Sequence, residues 1–117
     1  MLLTIITVTR NDSKRLKKTM ESLKSFYEND LFEHIIIDGA SSDETQSIVK
    51  ELIKKYKNII FNSEEDKGIY DGMNKGISLS NGDFVLFLNS GDEVAIDPNL
   101  LISEINKLDN SKTFRSA

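Results

Sequence analysis

Four short apolar runs constrain this chain more than anything else in it. They are Leu2 to Thr9, Glu33 to Gly39 around Ile35-Ile36-Ile37, Asn58 to Asn62 with Ile59, Ile60 and Phe61, and Phe84 to Leu88. Each is rich in β-branched or aromatic residues and bounded by turn formers, so each reads as a strand. Between and after them the apolar residues change to helical spacing: Leu16, Met20, Leu23 and Phe26; Ile48, Val49, Leu52, Ile53 and Tyr56; Ile69, Met73 and Ile77; then Leu101, Ile105 and Leu108 beyond Asp97-Pro98-Asn99. Strand and helix alternate throughout. That order predicts an α/β fold, a parallel, right-handed doubly wound sheet of Rossmann-like type with helices on both faces. The Phe84 to Leu88 run follows an Asn81-Gly82-Asp83 turn and is expected to be buried on both faces, as parallel strands are.

One domain, residues 1–117, accounts for the length, and a single proline with no low-complexity linker gives no internal boundary. The net charge of -4 offers no basic face for nucleic acid. Without cysteine there is no disulfide framework, thiolate metal site or cysteine nucleophile. The Met1 to Val8 run is too short to span a membrane and lacks the pattern of a signal peptide. A cytoplasmic location, at most against the inner face of the membrane, is the expectation.

Three strands end in polar residues: Thr9-Arg10-Asn11, Asp38 to Ser41, and Asn89-Ser90-Gly91-Asp92. In a parallel sheet all three fall on one edge, and ligands of open α/β sheets bind at that edge. Asp71, Asn74, Lys75 and Ser78 group by helical spacing on the preceding helix. Each piece also has a plain reading. Asp38-Gly39 is a turn signal, Ser41 and Glu44 have the spacing of a capping box, and Asp43 and Glu44 suit a helix start. Asp92 and Glu93 suit a solvated loop, and His34, the lone histidine, suits a structural role.

Taken jointly, Thr9-Arg10-Asn11, the Asp38 to Thr45 stretch DGASSDET, the Asp66 to Ile77 stretch DKGIYDGMNKGI and the Gly82 to Asp92 segment resemble the nucleotide half of a family 2 glycosyltransferase of the GT-A fold. The similarity covers nearly the whole chain and is closest to bacterial enzymes that build capsule and other surface polysaccharides. The resemblance implies inverting transfer of a hexosyl group from a nucleotide-diphosphate sugar, a UDP-sugar, to a growing glycan or lipid-linked acceptor. It implies a nucleotide-sugar site made of Thr9, Arg10, Asn11, Asp38, Lys67, Gly68, Asp71, Asn74, Lys75, Asn89, Ser90 and Gly91. Asp38 would accept the N3–H of uracil, Thr9 and Asn11 would line the base and ribose pocket, and Asp71 and Lys75 would face the ribose or diphosphate. Asn89 and Gly91 stand where the family's D-x-D motif has its acids. That leaves Asp92, with the Asn89 amide oxygen, to hold Mg²⁺ or Mn²⁺ against the diphosphate. The family fold is about twice this length, so the chain is expected to be a truncated, donor-binding half. The general base would lie beyond Ala117, peripheral membrane contact would come through the acceptor, and the uncovered face would favour homo-oligomers. Two rivals share the fold class: a nucleotide-binding fragment without turnover, and a receiver-type phosphorylation switch with Asp38 as its acceptor. The switch needs an acidic pair after the first strand, where this chain has Thr9-Arg10-Asn11-Asp12.

Overall fold

The computed structural model describes residues 2–110. Strands β1 (Leu3–Thr9), β2 (Phe32–Asp38), β3 (Ile59–Ser63) and β4 (Phe84–Phe87) form one sheet in the order β3-β2-β1-β4, with every pairing parallel. The helices are α1 (Ser13–Ser22), the short α2 (Lys24–Tyr27), α3 (Thr45–Lys55), α4 (Ile69–Leu79) and α5 (Pro98–Asn110). The strand order reverses at β1: the chain moves outward through β2 and β3, then returns to the other side of β1 as β4.

Two apolar layers cover the sheet. Leu3, Ile5 and Ile36 pack with Leu16, Met20, Leu23 and Phe26 of α1–α2 and with Val49 of α3, and α5 adds Leu101, Ile102 and Ile105. Ile6, Ile35 and Ile37 form the opposite layer with Val8, Ile60 and Val85. Successive side chains of a strand point to opposite faces, so Ile5 and Ile6 serve different layers.

Helix α4 closes the second layer at unusually short range. A Cβ on Gly72 would sit 2.6 Å from Val8 Cγ1, and one on Gly76 would sit 2.6 Å from Ile6 Cγ2. The glycines that weaken the helical pattern in the sequence therefore let this helix lie against β1.

Inside the core, His34 is held between two hydroxyls, with Tyr27 Oη 2.8 Å from Nδ1 and Thr7 Oγ1 2.8 Å from Nε2. A neutral imidazole donates from one nitrogen and accepts at the other, so both contacts are satisfied without charge. Burial holds its pKa down at about 3. The structural reading of this residue holds.

Several local expectations are corrected. The helical run through Leu16 to Phe26 breaks at Leu23 into two helices. Ser41 and Glu44 form no capping box: α3 starts at Thr45, and Asp43 Oδ1 accepts the Thr45 N–H and hydroxyl instead. Leu108 does not join the buried face of α5 and is 55% exposed. The largest difference is β4. It is the outer strand, and Leu86 and Phe87 are 38% and 40% exposed, not buried on both faces. A run of five apolar residues reports that apolar cover is required, and does not place that cover among the described residues.

Candidate functional site

Parallel register brings the predicted polar ends together. Thr9 is level with Asp38, and Asp38 with Ser63. The Asn89–Asp92 loop leaves β4 at the same edge, since Leu88 N donates to Ile6 O.

The strand-end crevice has two adjoining parts that share Arg10 and Asp66. One, of about 150 Å³, is lined by Arg10, Gly39, Ala40, Glu65 and Asp66. The other, of about 460 Å³, is lined by Val8, Thr9, Arg10, Asp66, Lys67, Gly68 and Ile69. A separate groove of about 300 Å³ lies between α1 and α3. Met20, Ile48 and Leu52 line it together with Lys17, Glu21, Lys24 and Glu51, and none of the predicted site residues reaches it, so it is not the candidate site.

Of the residues expected to bind nucleotide, Thr9, Arg10, Lys67 and Gly68 line this crevice. Thr9 is 4% exposed and its hydroxyl has no hydrogen-bond partner, so a polar atom is left unsatisfied at the wall. Asn11 acts as a strut between loops. It accepts the Ser42 N–H at Oδ1 (2.7 Å) and donates its own N–H to Ser41 Oγ (2.8 Å). Asn11 and Ala40 both have positive φ, 48° and 56°. Such backbone costs energy for a residue with a side chain and is held here by the surrounding contacts.

Asp38 has a different position from the one expected. Its side chain is fully buried. Oδ2 accepts the Ser41 N–H at 3.0 Å and the Ser63 hydroxyl at 2.7 Å, while Oδ1 takes the Ser41 hydroxyl. A carboxylate so enclosed shapes the β2 loop.

Asp71 and Lys75 also turn to the protein. Asp71 Oδ2 accepts the Lys67 N–H at 2.9 Å, and Lys75 Nζ donates to Glu65 O at 2.8 Å and lies 3.3 Å from Glu64 and 3.4 Å from Asp71. The Lys67 N–H, aided by the Lys75 charge, holds the Asp71 carboxyl below its usual value. Desolvation pulls Lys75 down, but Glu64 and Asp71 outweigh it and its pKa is raised. Both residues fasten the 64–67 segment that forms the crevice wall. Asn74 is exposed on α4 and lines neither part.

The loop after β4 is bracketed by one hydroxyl of α1. Thr19 Oγ1 donates to Asp92 O at 2.7 Å and accepts the Gly91 N–H at 2.8 Å, with Gly91 at φ 100°. Asp92 Oδ2 accepts the Asn89 N–H at 3.1 Å. Ser90 Oγ is buried without a partner. Among the described residues no group of three or more histidine or acidic side chains converges to hold a metal. Within Asn89–Asp92 the carboxylate is that of Asp92, and one of its oxygens is already engaged.

The sequence reading missed Asp66, Gly39, Ala40, Glu65, Val8 and Ile69. Asp66 carried a usable signal. It lies in the same charged segment as Lys67 and Gly68, and its Oδ1 accepts the Gly68 N–H at 3.1 Å at the entry to α4.

A parallel sheet whose order reverses at β1, with a polar crevice at its carboxyl edge, is the architecture of a nucleotide-binding α/β domain. The chain belongs to glycosyl transferase family 2, whose model matches residues 4–112. An uncharacterised glycosyltransferase of Mycobacterium tuberculosis is 35% identical over 88 residues, 75% of this chain and 33% of its own length. A Methanococcus voltae dolichyl N-acetyl-α-D-glucosaminyl phosphate 3-β-D-2,3-diacetamido-2,3-dideoxy-β-D-glucuronosyltransferase is 36% identical over 92 residues, 75% of this chain and 28% of its own. The crystal structure of Staphylococcus aureus TarS residues 1–349 with UDP matches 94% of this chain and 32% of that one, at 26% identity and a TM-score of 0.76. The same fragment with UDP-GlcNAc gives 26% and 0.75. The chain thus spans about a third of the length of the relatives it matches. A receiver-type switch is excluded by this membership. No described helix is long and apolar enough to cross a membrane.

Proposed function

We propose that this chain forms the donor side of an inverting glycosyltransferase that takes a hexosyl group from a UDP-sugar and adds it to a growing surface glycan on the cytoplasmic side of the membrane. The observation that carries the reading is the strand-end crevice, where Thr9, Arg10, Lys67 and Gly68 converge at the same sheet edge from which the Asn89–Asp92 loop leaves β4. The UDP and UDP-GlcNAc named for the TarS structures support a uridine donor here.

Transfer leaves a nucleotide diphosphate whose charge must be neutralised. Arg10 and Lys67 supply positive charge at the crevice. A Mg²⁺ or Mn²⁺ ion would rest on Asp92 and the Asn89 amide, with most of its oxygens coming from the nucleotide. When bound it would act as a Lewis acid on the leaving phosphate. Asn89, Ser90 and Gly91, held to α1 by Thr19, would set the position of that phosphate.

An inverting step needs a base within reach of the acceptor hydroxyl. We assign the base and the acceptor site to sequence outside residues 1–117. Self-association would occur through the exposed apolar side chains of β4 and α4, among them Leu86, Phe87 and Ile77.

Calorimetric titration with UDP, paired with a transfer assay, tests the reading. UDP should bind the 117-residue chain without sugar transfer to any acceptor. Absence of UDP binding would refute the donor site, and robust turnover would refute the assignment of the base.

A further inference from the structure

We infer that the outer face of α1, α2 and α3 is a docking surface for an anionic phospholipid membrane. Its lysines meet lipid phosphates, and the apolar groove between α1 and α3 takes the upper part of a lipid chain.

The first observation is the distribution of charge. The net charge of -4 conceals a local excess of the opposite sign. Between Ser13 and Lys24 the cations are Lys14, Arg15, Lys17, Lys18 and Lys24, and the acid is Glu21. Between Thr45 and Lys57 they are Lys50, Lys54, Lys55 and Lys57, and the acid is Glu51. All of these side chains are exposed. Ion pairs absorb part of the charge: Arg15 lies 4.0 Å from Asp12, Lys54 3.3 Å from Glu51 and Lys57 3.9 Å from Asp30. Lys14, Lys17, Lys18, Lys24 and Lys50 have no ion pair among the described residues. Lys14, Lys17 and Lys18 recur at helical spacing, turned away from the buried Leu16 and Met20. A concentration of unpaired lysines in an acidic chain complements an anionic surface.

The second observation is the groove of about 300 Å³, where Met20, Ile48 and Leu52 lie beside Lys17 and Lys24. A soluble polyanion offers charge alone and gains nothing from an apolar strip. A bilayer offers phosphates above acyl chains. Lysine matches that profile, with an apolar stem beneath a charged tip, and basic charge combined with apolar depth is what binds a protein at a membrane interface.

Helices α1 and α3 each follow a strand of the parallel sheet, so both begin at its carboxyl edge. With their outer face on the bilayer, the strand-end crevice opens along the membrane and not away from it. An acceptor anchored in that membrane then lies beside the donor. This last consequence rests on the donor-site reading; the docking surface does not.

Co-sedimentation of the 117-residue chain with vesicles tests the inference. One set contains phosphatidylglycerol and phosphatidylcholine, the other phosphatidylcholine alone. Binding should require the anionic lipid. It should fall as salt rises from about 0.1 M to about 1 M, because the screening length shrinks from about 10 Å to about 3 Å. Lys17→Gln combined with Lys24→Gln should weaken binding about 25-fold, the equivalent of about 1 kcal/mol for each lysine. Ile48→Ser should weaken it at least about fourfold, the equivalent of one buried methylene, and thermal unfolding checks that each variant is folded. Soluble polyphosphate should compete poorly with the vesicles for the wild-type chain.

Absence of binding to the anionic vesicles overturns the inference. So does binding that the double lysine variant leaves unchanged. Polyphosphate that displaces the chain from vesicles as readily as added anionic vesicles do would make this a polyanion site, and the membrane assignment would fall. No arm contains nucleotide, so a failure of UDP binding strikes the donor site and leaves the docking surface standing.

Discussion

Replacing Gly72 by alanine should destabilise the protein, although a helix interior ordinarily gains from that change. Two effects of similar size oppose one another. Alanine is better than glycine inside a helix by about 1 kcal/mol. The added methyl, however, would lie 2.6 Å from Val8 Cγ1 and 3.3 Å from Cγ2. Carbon atoms rest near 3.5–4.0 Å, so α4 would have to lift from β1 by roughly 1 Å. Overpacking of this kind costs about 1–3 kcal/mol. The net expectation is a loss of about 1 kcal/mol, and pairing with Val8→Ala gives it a decisive control. That change removes both methyls in the way, so Gly72→Ala should stabilise the Val8→Ala background by about 1 kcal/mol. Urea unfolding of the four proteins in this cycle measures the sign in each background. A gain of stability in both would refute the claim that glycine sets the helix–sheet distance. Because Val8 and Gly68 line the crevice, the single variant should also bind UDP more weakly, with the double variant partly recovered.

Three further outcomes are expected. Asp38→Ala strands the Ser41 and Ser63 donors, so it should cost at least about 1–3 kcal/mol of stability; an unchanged denaturation midpoint would count against its buried role. His34, neutral when folded with its pKa lowered to about 3, binds a proton more readily when unfolded. Stability is therefore full above the unfolded value near pH 6.5 and declines between about pH 6.5 and 3, at up to about 1.4 kcal/mol per pH unit. A His34→Gln variant in parallel pH-dependent melts should lose most of that slope, and an unchanged slope would assign it elsewhere. Mg²⁺ or Mn²⁺ should bind measurably only with UDP present, and Asp92→Asn should abolish this linkage; strong ion binding without nucleotide would contradict a one-carboxylate site.

Much of the fold was legible because its signals are local. Strand runs, helical periodicity and their alternation each depend on neighbouring residues, and the parallel order follows from them. The polar strand ends were legible too, since parallel strands share a carboxyl edge. What could not be read was which way a side chain turns after the strand ends. Asp38 and Asp66 are both acids next to glycine or lysine-glycine, yet one is enclosed by two serines and the other lies open over Gly39. The difference is made by Ser63, on a neighbouring strand, and by a missing Cβ. Likewise, the composition of Phe84 to Leu88 tells how apolar the strand is, while its exposure depends on its place at the sheet margin.

The reversal of strand order at β1 also bears on how the molecule assembles. Leu3 pairs with Phe32 on one side and with Phe84 on the other. The second contact closes a chain loop nearly three times longer, at an entropic cost about 1 kcal/mol greater. Strands β1, β2 and β3 can join through short connections, with Asp38 and His34 already enclosed between them. Strand β4 must return across all of that sequence, and it buries less when it arrives. Non-local pairings of this kind form slowly, and the least-buried units are the first to open. The crevice at the ends of β1 and β2 therefore belongs to the early-forming, persistent part of the protein. The Asn89–Asp92 loop belongs to the part that docks last and releases first.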